Sequence, residues 1–272
     1  MPPGIATPTP VPTLELVQVS DTHLLAEAQG ALLGLETRDS LHYVVELIRQ
    51  TRPHLDLVLA TGDLSQDGSV ASYEHLRRQL GPLAAPMRWC PGNHDEREAM
   101  QQVAADTQLL APVTDLGNWR IIVLDSQAPG EVSGYLAPTQ LQLLEQALAE
   151  APDRYALICM HHHPVAVGSR WMDDIGLRNA EALFEVLDRH PQVRALVWGH
   201  VHQEFDQKRK GARLLASPST CVQFEPGQEN FQLAMKAPGY RWLQLHADGQ
   251  LDTGVLRVTG IEFSIDQNPE GY

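Results

Sequence analysis

The chain has little of several things, and each shortage excludes something. Its 272 residues hold three cysteines, Cys90, Cys159 and Cys221. The number is odd and the spacing matches no thiolate zinc motif, which argues against a disulfide framework. Cys90 and Cys159 lie inside apolar runs and read as small core residues, as in a reducing compartment. Met1 to Pro12 is rich in Pro and Thr and has no basic n-region or apolar h-region, so it does not read as a signal peptide. No apolar run approaches the roughly 20 residues that a membrane-spanning helix needs. The expectation is a cytoplasmic protein with a disordered leader over residues 1–13. Basic residues are scarce as well, with 20 Lys and Arg against 34 Asp and Glu and a formal net charge of −14. That excess repels polyanions and argues against a nucleic-acid polymer or a membrane surface as partner. A small anionic substrate stays compatible if a metal supplies local positive charge. No internal repeat and no linker divides the chain.

Apolar residues make up 43% of the sequence, enough for a substantial core. Strands are expected at 14–20, 55–60, 86–90, 119–125, 155–160 and 193–198, where apolar and β-branched residues run together. Helices are expected at 37–50, 69–80, 138–149 and 178–188, with another starting near Asp95. In the first of these, Leu41, Val44, Val45 and Ile48 recur at helical spacing. Thr37 is its candidate N-cap and Asp39 lies in its first turn. Residues 24–36 read as a loop over one face. After residue 200 the alternation stops, and short strands near 212–216, 220–224, 240–246 and 252–258 suggest an antiparallel end. Strands alternating with helices imply an α/β architecture, and the late strands suggest a second sheet packed on the first. Residues 14–258 are expected to form a single domain, followed by a tail over 259–272.

Five short segments place metal-ligand side chains directly after apolar runs. They are Asp21-Thr22-His23, Gly62-Asp63, Gly92-Asn93-His94-Asp95, His161-His162-His163 and Gly199-His200-Val201-His202. One such segment is weak evidence, but five, each following a strand, point to one site built from the ends of a sheet. Gly62, Gly92 and Gly199 allow tight turns or close backbone approach beside the ligand residue. Oxygen and nitrogen donors without thiolate suit Mn, Fe or Zn. Two neighbouring metals need about four protein ligands each, with one carboxylate shared. Asp21, His23, Asp63, Asn93, one member of the 161–163 run, His200 and His202 supply that number. The matching chemistry is metal-assisted hydrolysis, in which two cations about 3.5–4 Å apart clamp the attacking and leaving oxygens.

The order D-x-H, G-D, G-N-H-D, His and G-H-x-H over residues 21–202 resembles the calcineurin-like metallophosphoesterases. The resemblance implies a four-layer αββα fold, a two-sheet β-sandwich flanked by helices. It also implies one metal site of Asp21, His23, Asp63 and His202 and another of Asp63, Asn93, His161 and His200. Asp63 would bridge, and His94 would contact the phosphate and stabilise or protonate the leaving oxygen. Substrate contacts would then come from His23, Asp63, Asn93, His94 and His202. The stretches 20–24, 60–64, 91–95, 199–203 and 218–224, and the closing Glu270-Gly271-Tyr272, are similar to the bacterial class III cyclic nucleotide phosphodiesterases. This narrower resemblance implies hydrolysis of 3′,5′-cyclic AMP to 5′-AMP, for which a metal-bridging hydroxide is the expected nucleophile; the donor set accepts two ions of Fe(II), Mn(II) or Zn(II) as cofactors. A broader diesterase acting on glycerophosphodiesters or 2′,3′-cyclic nucleotides is the alternative.

Within the His run, the end of the strand points to His161 as the ligand, and alignment on Pro164 points to His162. On an extended segment His161 and His163 would share a face and His162 would not. His42, His54, His75, His190 and His246 stand outside any motif and read as ordinary surface or core histidines. Asp125 reads as a capping or ordinary polar residue, with orientation of a ligand as its alternative role. Asp67, Glu96 and Asp173 read as solvated charges. Trp171 reads as packing beneath its loop, with stacking on a purine as the alternative; the 24–36 loop is the other candidate for base contacts.

Overall fold

The computed structural model describes residues 12–263, 265 and 266. Residues 1–11 of the expected leader, and residues 264 and 267–272 of the expected tail, lie outside the described residues.

Alternation within the strands sets the layering. In β1 (Leu14–Val19), Leu14 and Leu16 face one way and Val17 and Val19 the other, and all four are buried. A strand buried on both faces needs a layer on each side. The chain continues through β2 (Ala31–Leu32), β3 (Leu35–Glu36), α1 (Thr37–Thr51), β4 (Leu57–Thr61), α2 (Val70–Leu80), β5 (Met87–Cys90) and α3 (Arg97–Ala104). Then come β6 (Val113–Leu116), β7 (Trp119–Val123), α4 (Pro138–Ala149), β8 (Tyr155–Cys159), α5 (Arg170–Asp173), α6 (Ala180–Leu187) and β9 (Val193–Trp198). The last strands are β10 (Phe205–Arg209), β11 (Ala212–Ala216), β12 (Gln223–Phe224), β13 (Leu233–Ala234), β14 (Gly239–Leu245) and β15 (Leu251–Arg257).

Two large sheets result, ordered β15-β14-β1-β4-β5 and β10-β11-β9-β8-β7-β6. Between them Leu16, Leu57, Leu59 and Leu243 pack on Ile121, Leu157, Val197 and Leu215. On the outer face of the first sheet, Val17, Val58 and Ala60 meet Leu41, Val44, Ile48 and Leu76 of the helices. On the outer face of the second, Ile122, Ile158 and Leu196 meet Leu144, Leu148 and Leu183. This is the four-layer αββα arrangement, and each fully buried Leu, Ile or Val contributes about 1.5–3 kcal/mol.

Four local expectations are corrected. Thr37 is not the N-cap of α1: Glu36 holds that position without a side-chain bond, and the Thr37 N–H donates to Gly30 O at 3.2 Å. Residues 24–36 are not wholly loop, because β2 and β3 form a small hairpin across Leu33 (φ 51°) and Gly34 (φ 81°). Both turn residues have the positive φ that matches the twist of a tight hairpin. The late strands do not build the second sheet by themselves. β14 and β15 complete the first sheet beside β1, while β11 runs parallel to β9 in the second. The strand near 220–224 shrinks to β12, Gln223–Phe224. Two strands of the large sheets escaped the sequence reading, β6 (VTDL) and β10 (FDQKR). Both are edge strands of the second sheet, where charge is tolerated and apolar alternation is not required.

The topology places the site. β1, β4 and β5 are parallel neighbours in one sheet, and β7, β8 and β9 in the other. The loops leaving β1, β4, β5, β8 and β9 carry the five motifs. Bonds between loops of different sheets show that both open onto one edge: His200 N donates to Asp21 Oδ1 at 2.9 Å, and His161 Nδ1 donates to Thr61 O at 2.8 Å.

Candidate active site

Each site residue sits two to four positions past a strand end, where the chain turns sharply. Asp21, His23, Asp63, His200 and His202 all have positive φ, between 44° and 68°. For non-glycine residues this costs roughly 1–3 kcal/mol each and persists only where the surroundings enforce it. The glycines meet the close-approach requirement. A Cβ at Gly62 would overlap the His161 ring, one at Gly92 would overlap Asp63, and one at Gly199 would overlap Ser20 Oγ.

Two groups of donors converge there. In the first, His202 Nε2 lies 3.4 Å from Asp21 Oδ1 and 3.2 Å from His23 Nε2. In the second, His161 Nε2 lies 3.2 Å from Asp63 Oδ2 and 3.3 Å from Asn93 Oδ1. Asp63 joins them, since its Oδ2 is also 4.0 Å from His23 Nε2. Each carboxylate accepts one backbone N–H at 2.9 Å, Asp21 from His200 and Asp63 from His94. Both aspartates and the rings of His23, His161 and His202 are buried.

The opposite ring nitrogens fix the tautomers. His202 Nδ1 faces Val222 O at 2.8 Å and His161 Nδ1 faces Thr61 O at 2.8 Å. A carbonyl only accepts, so both Nδ1 atoms carry the proton and, in the neutral ring, both Nε2 atoms present lone pairs. His23 Nδ1 is likewise 2.7 Å from Gln66 Oε1. Lone pairs of His23 and His202 therefore meet at 3.2 Å beside two carboxylates. Asp21 Oδ2 is buried there without a hydrogen-bond partner among the described residues. Such an array is repulsive by itself and would be relieved by cations bound within it. The donor set, imidazole nitrogen and carboxylate or amide oxygen, fits divalent transition metals.

The electrostatics divide the cluster: burial opposes charge on the His161 imidazole, but Asp63 beside it outweighs burial and pushes it up to about 9, so a cation at Nε2 would take the place of that proton. Burial pushes the His23 imidazole down to about 3, which keeps it neutral and able to ligate. Burial opposes the charge of Asp63, but the neighbouring His161 outweighs it and holds the carboxyl well below its ordinary value. Burial, with His162 and His161 close by, keeps His200 well below its ordinary value too. Asp95 behaves differently. Burial first, then the charge of Asp63, pushes its carboxyl up to about 7.

The remaining sequence candidates separate. His200 packs against the His161 ring at 5.0 Å, and its Nε2 faces Ile175 O at 3.2 Å. His94 lies edge-on to His23 at 5.1 Å and lines a cavity of about 830 Å³ over the centre. His162 turns both ring nitrogens away, to Ser126 Oγ at 2.8 Å and Val132 O at 3.1 Å. The expected alternation of His161 and His163 is corrected. The run lies beyond β8, and the rings of all three histidines contact His200. His163 stacks on His200 and contributes nothing to the Asp63 group. Trp171 both packs and lines: it meets Phe224 and Phe231 edge-on at 5.2 Å each and forms part of the cavity wall. The 24–36 loop supplies no lining residue, and residues 127–132 take that place. Asp125 is held by Arg97 at 2.8 and 3.0 Å, an ordinary ion pair at the cavity margin. None of His42, His54, His75, His190 and His246 is buried, and none joins the centre.

Sequence reasoning gave no role to Asp95, which ties the motif loops together. Its carboxylate accepts from Leu64 N and Ser65 N at 3.0 Å, Gly92 N at 2.8 Å and Tyr73 OH at 3.0 Å. The available signal was its place at the end of G-N-H-D. The carbonyls of Thr61, Ile175 and Val222, which orient three histidines, leave no trace in residue identity.

Comparison with known proteins places these features in a wider set. The family model of the calcineurin-like phosphoesterases matches residues 14–204. The chain is 54% identical over 266 residues to the 3′,5′-cyclic adenosine monophosphate phosphodiesterase CpdA of Pseudomonas aeruginosa, covering 98% of each chain. It is 46% identical over 261 residues to the protein of the same name from Escherichia coli K12, covering 95% of each. Among solved structures, a dimetal phosphatase from Danio rerio superposes with a TM-score of 0.65 at 16% identity, covering 92% of this chain and 100% of that one. That likeness shows the fold.

Proposed function

The chain belongs to the calcineurin-like phosphoesterases, and from that footing we propose that it hydrolyses 3′,5′-cyclic AMP to 5′-AMP at a centre of two divalent metal ions. The observation that carries this reading is the convergence of Asp21, His23, Asp63, Asn93, His161 and His202 around one buried point beneath the 830 Å³ cavity. Relatives named as cyclic AMP phosphodiesterases, aligned nearly end to end, support the substrate.

In this reading Asp21, His23, Asp63 and His202 hold one ion, and Asp63, Asn93, His161 and His200 the other. The position of Asp63 between the two donor groups supports a bridging role. The nitrogen and oxygen donors suit Fe(II) or Mn(II), and accept Zn(II). When bound, the ions supply Lewis acidity, which converts water to hydroxide near neutral pH and offsets charge developing on phosphorus. The protein residues do the rest. Thr61 O, Val222 O and Gln66 orient the imidazoles, and the backbone N–H groups of His94 and His200 hold the two carboxylates. In this reading His94 contacts the phosphate and gives a proton to the departing 3′ oxygen, and its position on the cavity wall supports that role. His23, Asp63, Asn93 and His202 form the floor against which the phosphate sits.

Three buried thiols, none in a disulfide, support a cytoplasmic setting. No described helix is long and apolar enough to cross a membrane. The shared interior of the two sheets supports reading 14–258 as one domain. Steady-state kinetics on cyclic AMP, cyclic GMP and bis(4-nitrophenyl) phosphate, with metal analysis of the same preparation, test the proposal. Expected are about two metal ions per chain and a preference for cyclic AMP. A protein that turns over the aryl diester but not cyclic AMP would support the broader diesterase instead.

A further inference from the structure

His162 lies closer to the metal-ligand set than any other histidine without a role there. Its ring is 4.8 Å from both His161 and His200, and the three could surround an ion by proximity alone. Its hydrogen bonds say otherwise. Nε2 faces Val132 O at 3.1 Å, a pure acceptor, so Nε2 carries the proton. Nδ1 then accepts from Ser126 Oγ at 2.8 Å, and that hydroxyl in turn accepts from the His162 backbone N–H at 3.2 Å. The network closes with one neutral tautomer and leaves no lone pair for a metal.

The partners of His162 are the two arms of one loop. Tyr135 N donates to Ser126 O at 2.9 Å and closes its base. Residues 128–132 form one wall of the 830 Å³ cavity, and Val132 is 52% exposed. Within 128–133, Glu131 N bonds Ala128 O, inside the loop itself. Among the described residues, the His162–Val132 bond is the one hydrogen bond that ties this segment to the body. Gly134 is needed for the approach, since a Cβ there would overlap the His162 ring.

We infer that His162 is a positioning residue that straps the 126–134 loop over the cavity and so sets the affinity for the nucleotide. This rests on the cyclic AMP reading for its substrate, but the strap itself does not. His162→Phe keeps a planar ring and removes both bonds, whereas His162→Gln keeps a donor for Val132 O. Expected for His162→Phe is an unchanged metal content and a KM for cyclic AMP raised about tenfold, with kcat within about twofold. His162→Gln is expected to restore most of the affinity. Hydrogen exchange of the 128–133 amides gives a readout independent of substrate: faster in His162→Phe and recovered in His162→Gln. Should His162→Phe not fold, Ser126→Ala removes the hydroxyl that holds the His162 ring at Nδ1 and so loosens the strap, with KM raised about threefold. Loss of a metal ion from His162→Phe would overturn the inference, as would wild-type exchange in 128–133 for whichever of the two cutting variants folds. A wild-type protein inert on cyclic AMP, with the exchange pattern as expected, would sink the substrate reading and leave the strap standing.

Discussion

Leu59 and Asp63 are four residues apart and belong to opposite regimes. Leu59 sits in the middle of β4, buried between the sheets among Leu16, Leu157 and Val197. Asp63 lies just beyond the strand, equally buried, with φ 47° and a carboxylate among histidines. The first region is stabilising everywhere, with each side chain in apolar contact. The second is destabilising by itself, through left-handed backbone, buried charge and opposed lone pairs. The difference teaches that the inter-sheet core supplies the rigidity on which a strained polar cluster is held, ready for cations.

That contrast can be broken at the site first. Asp63→Ala removes the carboxylate common to both donor groups, and kcat/KM for cyclic AMP is expected to fall at least about 10³-fold. Metal analysis should show fewer ions while circular dichroism stays native. Full metal content with full activity would refute the bridging role. His94→Ala is expected to cost about 10²–10⁴-fold in kcat with the metal content intact, read by steady-state kinetics. Unchanged turnover would remove His94 from proton transfer. Chelation of the metals should abolish activity reversibly and lower Tm, since ions that bind only the native state stabilise it by mass action. An unchanged Tm would mean that the opposed imidazoles carry no strain that cations relieve.

In the core the effect should move to stability. Leu157→Ala empties a fully buried position between the sheets and should destabilise the fold by about 2–5 kcal/mol in urea titration. The kcat at low temperature should stay within about twofold of wild type. A loss of activity matching that of Asp63→Ala would show that the two regions are not separable in this way.

The smallest effect belongs to the edge of the second sheet. The Arg120 guanidinium bonded to Asp115 at 2.8 Å, with Arg154 nearby, holds the Asp115 carboxyl below its ordinary value despite partial burial. Its contribution is therefore present above the unfolded-state value and is lost as pH falls through the lower, folded one. Asp115→Asn should cost less than about 1 kcal/mol at pH 7, because the pair is solvent-screened. It should cost nothing at strongly acidic pH. A difference that grew on acidification would reverse the sign.

Some of this was legible in the residues. Leu41, Val44, Val45 and Ile48 announced α1 by spacing, and Pro138 opened α4 where expected. The five motifs named the cluster because ligand side chains directly after apolar runs have few other uses. β6 and β10 were hidden because edge strands need no apolar alternation. The role of Asp95 was hidden because its partners are backbone amides from distant loops.

The sequence by itself determined the elements, the donor types and the glycines that let loops approach, because these are properties of residues and their neighbours. Tertiary structure decided that β14 and β15 complete the first sheet. It also decided that Asp63 stands between two donor groups, that His161 faces the centre and that His162 faces the 126–134 loop. Those outcomes depend on which carbonyl or hydroxyl lies beside each ring nitrogen. Such partners come from chain segments 20 to 100 residues away, and only the folded sheets bring them within hydrogen-bonding distance.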